Sequence, residues 1–201
     1  MDFSKDEFKD VLLAIVVTTA IFSYNGSWNR FFDFVPSMFI IATVSILARQ
    51  WAYKRLARRY GAKAYFKLWP FGSIMSVVIA LASSLKLAAL GSAVIYSQKF
   101  AKWKRKFEKY SNFTELTYKE AGIIAAGGPG ACIILAILSW YAFYVSGNVF
   151  FQYGTYVNAW IAASTLIPFG QLDGSKIFTW KPWFWLVMTV VSVILLFNAM
   201  P

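Results

Sequence analysis

The apolar residues of this chain lie in long blocks separated by dense groups of cations, a pattern that few folds accommodate. Of 201 residues, 59% are hydrophobic and only 14% are charged, whereas soluble domains usually carry about a quarter charged residues. Mean hydropathy is +0.54. Nine Trp and eleven Tyr, many near the ends of the apolar blocks, suit the interface between hydrocarbon and water. The pattern predicts one integral membrane domain over residues 1–201. Its expected fold is all-α and polytopic, with about five transmembrane helices and a re-entrant or short β-hairpin segment.

The net charge of +11 raises nucleic acid as a partner, but the placement of the charges argues against it. Arg49, Lys54, Arg55, Arg58, Arg59, Lys63 and Lys67 form one group, and Lys99, Lys102, Lys104, Arg105, Lys106, Lys109 and Lys119 form a second. Both flank apolar blocks, as cytoplasmic loops do under the positive-inside rule. The basic segments at about 54–67 and 97–120, and the N-terminus, are therefore expected on the cytoplasmic side of a cell membrane. The expected partners are the bilayer, including its anionic headgroups, and other transmembrane proteins, with no nucleic acid.

Along the chain, spans are expected at about Val11 to Tyr24, Phe32 to Tyr53, Ala121 to Val145, Tyr153 to Pro168 and Trp183 to Phe197. No small-residue cleavage site follows the first, so it reads as a retained span. Asn25-Gly26-Ser27 and Ser146-Gly147-Asn148 read as turns, and Gly61 as a helix stop. Residues 68–96 are apolar enough to cross once, yet one crossing would put the two basic groups on opposite sides. A re-entrant hairpin or paired half-helices solves this, with Ala93 to Tyr96 as a short strand. Gly127-Gly128-Pro129-Gly130 weakens helix propensity and predicts a kink or a close helix contact. It is no phosphate loop, since no Lys-Ser/Thr follows. Cys132 is the single cysteine, so no internal disulfide forms and a packing role is expected. The carboxylates, mostly at the N-terminus and in 108–120, read as solvated loop charge.

Three ordered segments carry a resemblance. They are Lys54 to Pro70, Ala126-Gly127-Gly128-Pro129-Gly130, and Leu166 to Phe178 with its Leu172-Asp173-Gly174. Together they resemble the site-2 protease family of intramembrane zinc metalloproteases, in its small archaeal form. The resemblance places the family's metal-site positions at Arg49, Gln50, Tyr53, Thr165 and Asp173, where the family has histidine, glutamate, histidine, asparagine and aspartate. It also implies a peptide-binding loop around Pro168, Gly170, Leu172 and Gly174.

The chemistry of such a site is missing. The chain contains no histidine, so neither a zinc-binding pair at i and i+4 nor a serine–histidine nucleophile pair is available. Arg49 is a permanent cation, Gln50 accepts no proton, and Tyr53 is a poor zinc ligand. No catalytic residue, metal or cofactor is expected. Arg49 and Asp173 replace two ligands that lie together in the family, so an ion pair tying the two spans is expected in the metal's place. The expected role is a non-catalytic membrane scaffold, an accessory subunit of a membrane complex, or a binder of transmembrane segments. The alternative is an intramembrane metalloprotease or other hydrolase using non-standard or partner-supplied residues.

Overall fold

The computed structural model describes residues 5–24, 28, 30–83, 85–97 and 116–200. The expected turn at 25–27 and nearly all of the second basic group lie outside the described residues. The elements run α1 (Lys5–Ser23), α2 (Phe31–Arg59), β1 (Ala62–Leu68), α3 (Pro70–Ala82), β2 (Gly91–Ser97), α4 (Tyr118–Ser146), α5 (Val149–Thr165), α6 (Asp173–Trp180) and α7 (Pro182–Ala199).

Among the described residues, three helices are long and apolar enough to cross a bilayer: α2, α4 and α7. α2 and α4 have 29 residues each and α7 has 18. α1 carries Lys5, Asp6, Glu7, Lys9 and Asp10 in its first two turns, which leaves a short apolar remainder. α5 has 17 residues and buries Asn158 and Thr155. The spans of α2 and α7 bury only 28% and 22% of their apolar windows inside the protein. That much exposed apolar surface needs a membrane or a partner to cover it.

Local signals account for most boundaries. Thr117 caps α4 by accepting from the Glu120 amide at 3.3 Å, while Glu120 accepts from the Thr117 amide at 3.2 Å. Gly147 ends α4 in the left-handed conformation (φ 65°), and Asn148 caps α5 through the Phe150 amide at 2.9 Å. Gly61 (φ 63°) ends α2 and turns the chain straight into β1.

β1 and β2 pair antiparallel, with Ala64 opposite Ile95 and Phe66 opposite Ala93. This corrects the expectation of a basic loop over 54–67: residues 54–59 finish α2 and 62–67 form a strand. The hairpin embraces α3 instead of lying wholly within 68–96. The outer edge of β1 is closed by α1, whose Glu7 accepts the Phe66 amide and Asp10 the Leu68 amide, both at 3.2 Å. Glu7 also pairs with Lys54 at 2.9 Å, and both are buried. Neither is the solvated loop charge that its sequence context implies, because docking of α1 on α2 removes them from water together.

Small residues set the spacing between helices. A side chain at Gly127 would meet Leu56, one at Gly128 would run into the Tyr53 ring, and one at Gly154 would press on Ser139. α4 continues through Pro129 without interruption, so the glycine run serves close contact with α2. Gly128→Val is expected to lower stability by about 2–3 kcal/mol by displacing the Tyr53 ring. Thermal unfolding in detergent, followed by Trp fluorescence, measures this. A midpoint unchanged from the parent refutes the close contact.

Candidate functional site

Arg49 and Tyr53 stand one turn apart on α2 and present the same face. That face meets the N-terminus of α6, where Asp173 is the first helical residue. The Tyr53 hydroxyl donates to Asp173 Oδ2, and Arg49 Nη2 donates to Tyr53 Oη at 3.1 Å and to Asp173 Oδ2 at 3.5 Å. The expected ion pair is therefore present, joined by a phenol bridging the two charges. All three residues are 1% exposed or less, so Arg49 does not snorkel to water.

The chain around Asp173 is built to hold it there. The segment between α5 and α6 turns through Gly170 in the left-handed conformation (φ 63°). At Gly174 a side chain would collide with the Leu166 and Ile167 carbonyls, so only glycine lets the start of α6 pack on the end of α5. Trp185 Nε1 of α7 donates to the Leu166 carbonyl at 2.6 Å, and the Ser175 hydroxyl donates to the Leu172 carbonyl at 2.7 Å. Lys176 reaches from α6 to β2, donating to the Ala93 carbonyl at 2.6 Å and Ser92 Oγ at 3.2 Å. Lys176 and Asp173 stand three residues apart on α6, and Asp173 Oδ1 has no hydrogen-bond partner among the described residues.

The sequence-predicted positions separate into groups. Arg49, Tyr53 and Asp173 converge. Gln50 is buried on α2 beside them. Thr165 turns back on its own helix, bonding the Ile161 and Ala162 carbonyls at 2.9 and 3.1 Å. Of the implied peptide-binding loop, Pro168 and Gly170 are exposed, whereas Leu172 and Gly174 are buried by packing.

Three participants fall outside the sequence-predicted site positions, although Gly128 belongs to the glycine run already expected at a kink or a close helix contact. Lys176 stands three residues after Asp173, a spacing that places both on one helix face, and this was the available signal. Gly128 gives the Tyr53 ring its room, and Cys132, one turn on, lies within electrostatic reach of Arg49 and Asp173. Nothing in a single sequence links these α4 residues to α2.

The residues present do not fit a zinc ion. The pocket offers a guanidinium, a phenol and one carboxylate, and the guanidinium takes the position facing that carboxylate. Zinc needs three or four donors from imidazole, thiolate or carboxylate. Among the described residues, no three of His, Cys, Asp and Glu come together.

Comparison with known proteins adds one relative. No family model and no solved structure matches the chain. The chain is 24% identical over 195 residues to a Methanocaldococcus jannaschii protein named "Putative zinc metalloprotease". The alignment covers 92% of this chain and 90% of that protein, so the similarity extends over most of both chains and not one motif. The chain is thus a mostly helical, membrane-associated homologue of a protein carrying a protease name.

Proposed function

We propose that this chain is a non-catalytic, site-2-protease-like protein of the cell membrane, multi-pass with its N-terminus and basic loops on the cytoplasmic side. It works as a scaffold, an accessory subunit of a membrane complex, or a binder of other proteins' transmembrane segments. The observation carrying this reading is the Arg49 guanidinium facing Asp173 where a metal would sit. A fixed cation partners one oxygen of the carboxylate and ties α2 to α6, while offering no water activation and no open coordination position. Full-length similarity to a protease-named relative supports retention of the frame, and the exposed apolar faces of α2 and α7 leave room for partner helices.

The relative's name favours a second reading, an intramembrane hydrolase working through non-standard or partner-supplied residues. Purification from native membranes in mild detergent separates the two. The expected result is zinc far below stoichiometric, no cleavage of a membrane-spanning reporter, and a co-migrating membrane protein. Stoichiometric zinc held by this chain's own side chains, or peptide-bond cleavage by the chain alone, refutes the proposal.

A further inference from the structure

We infer that the outward face of the β1–β2 hairpin, with the last turns of α2, seats the phosphate of an acidic lipid headgroup. Side chains alternate along a strand, so Lys63, Tyr65 and Lys67 share one face, and the register adds Tyr96 opposite Lys63. Ala62, Ala64, Phe66 and Ala93 take the other face and are buried. Lys63, Lys67 and Tyr96 are exposed, and the Tyr65 and Tyr96 rings meet edge-on at 6.0 Å. Arg55, Arg58 and Arg59, exposed in the last turns of α2, precede the Gly61 turn that leads straight into this strand. Among the described residues none of these five cations joins an ion pair. The carboxylates beside the hairpin, Glu7 and Asp10, are turned onto its backbone amides, and Glu7 also onto Lys54.

The occupant follows from where this surface sits. α2 exposes Phe39, Ile40, Val44, Leu47 and Trp51 along its apolar length. At about 1.5 Å per residue, Arg55 lies ~6 Å and Arg59 ~12 Å beyond Trp51. The headgroup zone outside the hydrocarbon is roughly 5–8 Å deep on each side. With Trp51 at the hydrocarbon boundary, Arg55 lies at phosphate depth and Arg58 and Arg59 just outside it, on the same helix that faces the acyl chains and with two tyrosines suited to that interface. A nucleic acid or an acidic peptide would not require this alignment with an apolar stripe. The inference rests on the membrane placement of α2 and not on the loss of catalysis.

The test uses the full chain in nanodiscs of phosphatidylcholine mixed with phosphatidylglycerol, with retained lipid identified by native mass spectrometry. Phosphatidylglycerol is expected to be retained roughly ten-fold or more over phosphatidylcholine. The variant Arg55→Gln/Arg58→Gln/Arg59→Gln/Lys63→Gln/Lys67→Gln is expected to bring that preference near unity, and Lys181→Gln to leave it intact. Equal retention of both lipids by the parent overturns the inference, whatever the variant does. A neutralised variant that keeps the preference overturns it, as does displacement of the lipid by inorganic phosphate alone. Zinc content and cleavage do not enter these readouts, so the outcome is separable from that of the proposed function.

Discussion

Asp173→Ala lowers the unfolding free energy of the detergent-solubilised protein by about 3–5 kcal/mol, the expected cost of leaving one member of a buried charged pair alone. The carboxylate accepts from both Tyr53 and Arg49 and is fully buried, so its removal strands a guanidinium that water cannot reach. Arg49 Nε already lacks an acceptor among the described residues, which leaves the guanidinium little to fall back on. The companion variant is Arg49→Met/Asp173→Asn, which removes both charges and keeps volume and a hydrogen-bond acceptor for Tyr53. It is expected to recover more than about 1 kcal/mol of the loss, the mark of directly coupled sites. Denaturant unfolding at fixed detergent and lipid, read by Trp fluorescence, measures both. An Asp173→Ala effect within about 0.5 kcal/mol of zero, or strict additivity of the Arg49→Met and Asp173→Asn single variants in the double variant, refutes the tie.

The second large effect is a gain. Arg49→His/Tyr53→His, carrying Gln50→Glu, converts the pocket into a zinc site retaining about one ion per chain. The two replaced side chains meet the same carboxylate oxygen from positions one helical turn apart. Imidazole is shorter than either arginine or tyrosine, and a metal with donor distances near ~2.0 Å fills the space released. Asp173 is the third donor and water the fourth, giving the three-protein-ligand set of a catalytic rather than a structural site. The parent chain, prepared identically, is expected to retain none above background. Elemental analysis after dialysis against a weak chelator reads the difference. Variant protein that folds as the parent does and yet retains no zinc shows that α2 and α6 do not hold the geometry inferred here.

Much of this architecture is legible along the chain because its causes are local. The ends of α4 and α5 follow from Thr117, Gly147 and Asn148, whose side chains or missing Cβ act within a few residues. The unwound stretch between α5 and α6 follows from Pro168 and Gly170 in the same way. β1 is hidden by its own composition. Two of its inward residues, Ala62 and Ala64, are too small to register as a hydrophobic stripe, and Lys63 and Lys67 make the segment read as loop. The alternation is there, but it becomes informative only once β2 pairs with it.

The site divides along the same line. That Arg49, Gln50 and Tyr53 cannot act as a zinc-binding helix, and that no histidine exists to replace them, is settled by residue identity alone. Side-chain chemistry does not depend on the fold for that. Which of the substituted positions meet is a tertiary matter, since Arg49 and Asp173 are 124 residues apart and come together only when α6, packed on α4, brings its first residue to the face of α2. The same holds for Lys54 and Glu7, which look like solvated charges in any local window. Their burial depends on α1 closing over the hairpin, an event that no stretch of neighbouring residues encodes. Composition decided the solvent in which this chain folds and the metal chemistry its side chains lack. Packing decided which charges face each other, because electrostatic pairing depends on distance in space and not on separation along the chain.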